Sequence, residues 1–186
     1  MAGLLPDVAA WSEEWTLAGG ERVKVRPIRS ADAAIEQAFV RGLSRESRYT
    51  RFMGEVAELS PEMLARFTQI HYPHDLALIV TVPDGAGEKE IAVARYIALP
   101  AAGACEYAIV VADAWQGHGV GYRLMECLIG FARRGGFERM EGYVLATNQK
   151  MIELMRSLGF EAGPSEEGPQ VRLLSCVLQE PASNLG

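Results

Sequence analysis

Three alternating glycines, Gly117, Gly119 and Gly121, lie between an apolar segment and an amphipathic one. The apolar segment, 104–112, is short and rich in β-branched residues, which predicts a buried strand. From Val120 onward the apolar residues recur at helical spacing. Glycine lets the backbone approach a ligand closely, and the first N–H groups of a helix carry partial positive charge without an internal acceptor. The segment therefore predicts an anion-binding turn suited to a phosphate-bearing ligand.

The glycine spacing excludes two common phosphate loops. A dinucleotide-binding G-x-G-x-x-G loop would need glycine at Tyr122, and a nucleotide-binding P-loop would need a closing Gly-Lys-Ser/Thr, which the segment lacks. What remains is Gln116-x-x-Gly119-x-Gly121, with the alternative that the glycines only make a tight turn.

Glu106 is the one charged residue inside the apolar segment 104–112. Burial raises the pKa of a carboxyl group toward neutrality, which suits a general base. The alternative is a glutamate on the solvent side of the strand. Glu141, in the next predicted strand, is the second candidate for the base.

The composition predicts one soluble globular domain, with 186 residues of which 49% are hydrophobic and 23% charged. The net charge of −6 argues against an extended nucleic-acid surface and weakly favours a cationic acceptor such as an amine. We find neither a membrane-spanning run nor a signal peptide. Cys105, Cys127 and Cys176 form no metal-like pair, which indicates reduced thiols and a cytoplasmic protein.

The rest of the chain alternates strands and helices. Strands are predicted at 22–28, 75–82, 90–99, 139–145 and 171–178, and a Gly- and Pro-rich loop at 163–169. Helices are predicted at 31–41 with Ser30 as its cap, after the caps Ser44 and Ser60, and at 148–158. An N-terminal arm, 1–20, with Trp11 and Trp15 at helix-like spacing, precedes a domain at 21–180 and a tail at 181–186. The arm could pack on the domain or on a partner, or it could be loosely held.

Two motifs in the second half of the chain resemble those of a known family. The segment Gln116-x-x-Gly119-x-Gly121 is followed, at the expected distance, by Asn148, Met151, Leu154 and Leu158-Gly159-Phe160. Both patterns are similar to those of the GCN5-related N-acetyltransferases (GNAT), which bind acyl-coenzyme A. Over residues 21–178 the resemblance implies an α/β protein with the GNAT acyl-CoA N-acyltransferase fold: a mixed, mostly antiparallel central sheet flanked by helices.

A narrower resemblance is found in the first half of the chain. Arg26-Pro27-Ile28-Arg29, Leu43-Ser44 with Glu46-Ser47-Arg48-Tyr49, and Leu59-Ser60-Pro61 are similar to the acetyltransferase domain of bacterial protein lysine acetyltransferases of the Pat type. Many of those carry a fused acyl-CoA synthetase-like region, which this sequence lacks. The resemblance implies a stand-alone member whose acceptor is a protein lysine, although its target need not be that of the fused enzymes.

The resemblance also implies a set of cofactor contacts for acetyl-CoA. The backbones of Val110 and Val111 would hold the pantetheine arm, and Asn148 with Met151 would line its acyl end. Asn148 has a second interpretation as a helix N-cap, and both can hold together. The pyrophosphate would lie on the residues of the glycine turn, which are Gln116, Gly117, His118, Gly119, Val120 and Gly121.

The resemblance gives catalytic roles as well, with Glu106 as the base that deprotonates the amine. Many members have a tyrosine that protonates the departing thiolate, and the matching position here is Met155. Tyr107, Tyr122 or water would have to supply that proton.

Two further clusters have simpler interpretations. The segment His71-x-x-His74-Asp75 lacks a third distant ligand, so we predict a surface feature and no metal. Arg45, Arg48 and Arg51 share a helix face that could bind coenzyme or an acidic partner, but a solvated face is the simpler expectation. Trp115 is expected to pack.

Together these observations predict an N-acetyltransferase that uses acetyl-CoA, with a protein lysine as the expected acceptor and Glu106 acting in direct transfer. One alternative is a small-molecule amine acetyltransferase. Another is a non-catalytic acyl-CoA-binding sensor, motivated by Met155. Neither nucleic acid nor membrane is an expected partner, and the oligomeric state is left open, a homodimer included.

Overall fold

The fold is organised around one eight-stranded sheet, seen in a computed structural model that describes residues 7–101 and 103–178. The predicted tail, 181–186, lies outside the described residues, as do the first six residues of the arm. The strands are β1 (Glu13–Thr16), β2 (Arg22–Pro27), β3 (Asp75–Asp84), β4 (Gly87–Ala98), β5 (Ala104–Val111), β6 (Arg139–Leu145), β7 (Glu161–Pro164) and β8 (Val171–Val177). Their order is β1-β2-β3-β4-β5-β6-β8-β7, and all neighbours in this sheet are antiparallel except β5 and β6.

Within the same residues, five helices cover the sheet. They are α1 (Ala33–Gly42), α2 (Arg45–Phe52), α3 (Pro61–Thr68), α4 (Val120–Arg134) and α5 (Gln149–Ser157), with short 3-10 turns at Val8–Ala10, Ser30–Asp32 and Asp113–Trp115. Three predicted caps are confirmed. The hydroxyls of Ser44 and Ser60 accept from the Ser47 and Met63 N–H groups at 3.1 and 3.2 Å, and Asn148 Oδ1 accepts from the Met151 N–H at 3.3 Å.

The two faces of the sheet carry separate apolar clusters. Residues of α1 and α3 pack with Ile79, Val93 and Val110 on one face. Residues of α4 and α5 pack with Tyr107 and Met140 on the other. Because side chains alternate along a strand, neighbouring residues of β5 belong to different clusters. The predicted fold class, a mixed and mostly antiparallel sheet flanked by helices, is confirmed.

The parallel strand pair, β5 and β6, opens into a fork. These strands pair only from Ala104–Arg139 to Glu106–Glu141, although both continue beyond those residues. After Glu106 the two strands therefore separate and leave unpaired backbone facing an opening. This fork fixes the position of the candidate site.

The N-terminal segment packs on the domain, as one of the predicted alternatives has it, but partly as a strand. Residues 13–16 form edge strand β1, in which Trp15 lies opposite Val23, and Trp15 is only 4% exposed. The helical spacing of Trp11 and Trp15 was misleading because Trp11 lies before the strand and packs edge-on against Phe131, with ring centroids 4.9 Å apart. Leu17 is buried in the same apolar cluster as Trp15. This part of the predicted arm thus belongs to the sheet and its core, since strand pairing depends on a distant partner rather than on local periodicity.

Two other local predictions were wrong. Ser30 does not cap α1. It lies in a 3-10 turn, where the Asp32 carboxylate accepts from the Arg29 N–H at 2.7 Å and also pairs with Arg26. The predicted loop 163–169 begins inside β7, whose Gly163 and Pro164 pair with β8. In both places a tertiary contact outweighs the local preference.

A buried carboxyl pair lies beneath α1. Glu36 and Glu90 are each 1% exposed, and Glu36 pairs with Arg95 at 3.1 Å. Neither carboxylate oxygen of Glu90 has a hydrogen-bond partner among the described residues. Burial, and then the neighbouring Glu36, raises the pKa of Glu90 well above its ordinary value. Glu90 is therefore held in its neutral form more strongly in the folded chain than in the unfolded chain.

Replacing Glu90 with glutamine is expected to raise the melting temperature at pH 8 and to change it little at pH 5. The pKa of Glu90 is higher in the folded chain than in the unfolded chain, so the free energy of unfolding falls as the pH rises above the pKa of the unfolded state. An amide does not titrate and therefore removes that dependence on pH. The expected gain is about 2–4 °C for each kcal/mol recovered. Thermal unfolding at both pH values measures it.

Glu88→Gln is the matched control for this change. Arg26 pairs with Glu88 at 2.7 Å. Burial acts to raise the pKa of Glu88, but the contact with Arg26 outweighs it and the pKa is lowered. Glu88→Gln should therefore lower the melting temperature. Equal melting temperatures for Glu90→Gln and wild type at pH 8 would contradict the proposed cost of the buried carboxyl.

Candidate active site

A large cleft opens at the fork between β5 and β6, with a volume of about 2290 Å³. Helices α2, α3 and α5 and the glycine turn before α4 contribute to its walls. The structure brings most of the sequence-predicted site residues to this cleft: Glu106, Val110, Val111, Gln116, Gly117, Gly119, Gly121, Asn148 and Met151. His118 and Val120 are not among its lining residues. Val120 is 1% exposed, and His118 Nδ1 lies 2.9 Å from the Gln116 carbonyl oxygen.

The glycine turn has the geometry of an anion site. Gly117 and Gly119 have φ values of +78° and +79°, and a Cβ built on either would meet nothing within 4 Å. Gly119 precedes α4 directly and no side chain caps that helix. The first N–H groups of α4 therefore have no side-chain cap and no acceptor within the helix. The open space beside Gly117 and Gly119 and the uncapped N–H donors of α4 fit the pyrophosphate of a coenzyme.

Gly121 has a different role from the other two glycines. A Cβ built on it would lie 3.3 Å from Leu154 Cδ2 and 3.5 Å from Val111 Cγ2. Its lack of a side chain therefore lets the first turn of α4 pack closely against α5 and β5.

Ser44, the cap of α2, and Ser47 in its first turn bond to the 3-10 turn that precedes the glycine turn. Asp113 accepts hydrogen bonds from the Ser44 N–H at 2.9 Å and from the Ser44 and Ser47 hydroxyls at 2.7 and 2.8 Å. Burial acts to raise the pKa of Asp113, but these hydrogen bonds outweigh it and the pKa is lowered. The Gln116 amide donates to the Val111 carbonyl at 3.1 Å. Sequence reasoning missed Asp113, since nothing local indicates that it contacts residues almost seventy positions away.

Glu106 lies where the fork opens, opposite Glu141 in the parallel register. Burial raises the pKa of Glu106, the Glu141 carboxylate raises it further, and Arg51 opposes both. Glu141 already pairs with Arg139 at 3.1 Å. Among the described residues Glu106 has no ion-pair partner, and it lies in the cleft with the perturbed pKa expected of a general base.

Met155 does not contribute to the cleft. It is fully buried in the apolar cluster with α4. Tyr107 and Tyr122 do line the cleft, and they differ in their surroundings. Tyr122 is 38% exposed, whereas Tyr107 is 5% exposed and its hydroxyl has no partner among the described residues. Burial raises the pKa of Tyr107, so the hydroxyl keeps its proton at neutral pH.

Gly142 makes room for the Tyr107 ring. A Cβ built on Gly142 would lie 2.5 Å from the Cε1 atom of Tyr107. The Tyr107 ring also packs edge-on against Phe160, with centroids 5.2 Å apart. The ring is therefore fixed from two sides at the fork.

The three arginines of α2 do not share one role. Arg45 pairs with Glu55 on the surface, and Arg48 donates to the Leu43 carbonyl. Arg51 lines the cleft instead, so the expectation of a common solvated face is wrong for it. Arg51 lies beside Phe67 of α3, with its guanidinium carbon 6.0 Å from the ring centroid.

The predicted metal-like segment forms a local pair. His71 Nδ1 lies 3.4 Å from Asp75 Oδ2, and the His71 N–H donates to Asp75 at 2.6 Å. Over residues 7–101 and 103–178, no group of three or more His, Cys, Asp or Glu side chains is arranged to hold a metal ion. Within the same ranges, none of the helices is long and apolar enough to cross a bilayer.

Comparison with known proteins agrees with this geometry. Residues 43–160 match the model of the acetyltransferase (GNAT) family, and the chain belongs to that family. It is an acetyl-CoA-dependent N-acetyltransferase, and the family assignment made from the two motifs is confirmed.

Three relatives illustrate the similarity. Acetyltransferase PA5475 of Pseudomonas aeruginosa is 37% identical over 150 residues, which are 81% of this chain and 80% of that protein. Acetyltransferase Pat of Mycolicibacterium smegmatis is 30% identical over 141 residues, which are 75% of this chain but only 41% of that protein. The crystal structure of the GNAT domain of S. lividans PAT has a TM-score of 0.82 at 32% identity, covering 91% of this chain and 98% of that one.

Proposed function

We propose that this N-acetyltransferase acetylates protein lysines, with Glu106 as general base. The observation that carries the proposal is the position of Glu106. Its carboxyl group has no ion-pair partner among the described residues, and it lies at the opening of the fork, in the same cleft as the glycine turn. The lysine acceptor is what the resemblance of the first half of the chain to the Pat type implies, and the similarity to the S. lividans PAT domain and to Acetyltransferase Pat agrees with that resemblance.

Each group of residues has a defined task in this proposal. Acetyl-CoA supplies an acetyl group activated as a thioester. The N–H groups after Gly119 hold the pyrophosphate. The backbone of β5 that β6 leaves unpaired, including Val110 and Val111, orients the pantetheine arm. A lysine ammonium group has a pKa of about 10.4, so it must lose a proton before its nitrogen can attack. Glu106 takes that proton, the neutral amine then attacks the acetyl carbon, and the C–S bond of the thioester breaks to release the coenzyme thiolate.

The test is incubation of the purified chain with isotopically labelled acetyl-CoA and a denatured protein digest, a set of native proteins, and a panel of small amines. Mass spectrometry is expected to find labelled acetyl groups on lysine side chains of native proteins. Labelling confined to small amines would favour the small-molecule alternative. Calorimetric binding of acetyl-CoA with no labelled product from any acceptor would favour the sensor.

We further propose that Tyr107 donates a proton to the departing thiolate. Its hydroxyl is buried, protonated and unpartnered in the described part of the chain, and Met155 lies in the core. A buried hydroxyl without a hydrogen-bond partner destabilises the folded state. A ligand atom that accepts a hydrogen bond from Tyr107 would remove that cost, and the thiolate sulfur is the acceptor that we propose.

Tyr107→Phe is expected to lower kcat by about 10- to 100-fold, less than the largest effects of a proton-transfer group because a coenzyme thiolate leaves readily. The loss should be constant between about pH 6 and 9, since Tyr107 keeps its proton over that range. Steady-state kinetics against pH measures it. Tyr122→Phe is the matched control and should behave as wild type. An unchanged kcat for Tyr107→Phe would leave water as the donor.

Two further points concern where the protein is located and whether it forms a dimer. We propose a cytoplasmic protein, supported by three cysteines that are all free. Sedimentation of the purified chain would test for a homodimer.

A further inference from the structure

Three arginines surround the ring of Phe67 at one wall of the cleft. Their guanidinium carbons lie 4.2 Å (Arg95), 5.4 Å (Arg66) and 6.0 Å (Arg51) from the ring centroid. The arginines come from β4, α3 and α2, and all three line the cleft. In a chain with a net charge of −6, this is a local concentration of positive charge.

Within the described ranges, Arg95 is the member of this group whose charge is balanced. It donates to Glu36 and to the Phe67 carbonyl, each at 3.1 Å. Arg51 and Arg66 contact aromatic rings but make no hydrogen bond or ion pair with any described residue. Burial and the repulsion of Arg95 lower the pKa of Arg51 to about 10, so it remains charged at neutral pH. Glu36 and Glu106 offset the cost of burying this charge only from a distance, since neither pairs with Arg51. A ligand that brings a carboxylate into contact with Arg51 would therefore stabilise it.

The three arginines lie next to Glu106, the proposed base. Arg95 is opposite Ala108 and Ile97 is opposite Glu106. Arg95 and Glu106 therefore lie on the same face of the sheet, on adjacent strands and two residues apart in register. Arg51 interacts electrostatically with both Arg95 and Glu106. A group bound by Arg51 would therefore be held close to an amine that is being deprotonated by Glu106.

We propose that Arg51 and Arg66, supported by Arg95, bind a carboxylate of the acceptor, so that the preferred acceptor is an amine with a carboxylate nearby. Guanidinium groups bind carboxylates with strong, charge-assisted hydrogen bonds. The inference rests on the proposed acetyl transfer to an amine. The carboxylate has two sources, an acidic side chain flanking a lysine in a protein or the carboxylate of a free amino acid.

The experiment compares two lysine peptides that differ only by glutamate or glutamine beside the lysine. It also compares free glutamate with the diamide of glutamic acid, which carries no carboxylate. For wild type we expect the acidic member of at least one pair to have a KM about 10- to 100-fold lower, in line with a hydrogen bond between charged groups. Arg51→Met should remove that preference, so that the KM values of the acidic and neutral members become equal. Loss of the Arg51 charge also raises the pKa of Glu106, which changes kcat for both members alike, so the ratio of the two KM values is the measurement that tests the inference. Arg45→Met, on the same helix but outside the cleft, is the matched control and should keep the preference.

Several outcomes would overturn the inference. One is an equal KM for acidic and neutral acceptors in wild type. Another is an Arg51→Met variant whose KM rises for acetyl-CoA rather than for the acceptor, since the arginines would then serve the coenzyme. Circular dichroism and thermal unfolding establish that the variant is folded, and Arg66→Gln provides a second variant.

A failure of acetyl transfer itself is distinguishable. If no acceptor is turned over, calorimetry with the two lysine peptides directly tests the carboxylate-binding subsite formed by Arg51, Arg66 and Arg95. Tighter binding of the glutamate peptide by wild type, lost in Arg51→Met, would support the subsite and leave only the reaction in doubt. Equal binding would overturn it.

Discussion

Glu106→Gln is expected to bind acetyl-CoA as wild type does and to lower kcat by roughly 10²- to 10⁴-fold, the usual contribution of a general base. Glutamine keeps the size and hydrogen-bonding capacity of the side chain but cannot accept the proton. Glu106 is half-buried and is not part of an ion pair in the described structure, so the substitution should leave the fold intact. Calorimetry and single-turnover kinetics separate binding from chemistry.

The pH profile provides the sharper measurement. Burial and Glu141 raise the pKa of Glu106, so the wild-type rate should increase as pH rises through that raised value and the carboxylate forms. Glu106→Gln should lose this inflection and recover part of its rate at high pH, where more of the amine is already neutral.

Glu141→Gln is the matched control for the base. Removal of the Glu141 charge should lower the pKa of Glu106 and move the rise in rate to lower pH, with little loss of maximal rate. Wild-type activity and an unchanged pH profile in Glu106→Gln would remove Glu106 from the mechanism and make Glu141 the next residue to test.

Gly119→Glu is expected to weaken acetyl-CoA binding by at least about 100-fold, a loss of roughly 3 kcal/mol or more. The new side chain would project into the open space beside the uncapped end of α4 and would place a negative charge where an anion is to bind. Calorimetric titration measures the dissociation constant. An unchanged constant would overturn the assignment of the turn.

Gly119→Ala separates charge from backbone strain. Gly119 has a φ of +79°, so any other residue costs about 1–3 kcal/mol of backbone strain. Alanine carries this cost without the charge, and it should therefore weaken binding far less than glutamate. Equal losses for the two variants would mean that distortion of the turn, rather than repulsion, explains the effect.

The sequence by itself determined the features that depend on neighbouring residues. The alternating glycines 117–121 between an apolar run and a helical pattern predicted the anion site, because a turn and the helix after it are local structures. The hydroxyls of Ser44 and Ser60 could be identified as caps for the same reason. The isolated charge of Glu106 within 104–112 identified the candidate base, because burial of a strand is visible in its composition.

Only the tertiary structure decided which distant residues meet. Arg45 and Arg51 have similar local surroundings in the sequence, yet Arg45 pairs with Glu55 on the surface and Arg51 lines the cleft beside Phe67 of α3. The opening after Glu106 depends on where two strands stop pairing, and the position of the Tyr107 ring depends on the space left by Gly142. These features arise from pairing and packing between segments far apart in the chain, which no local pattern encodes.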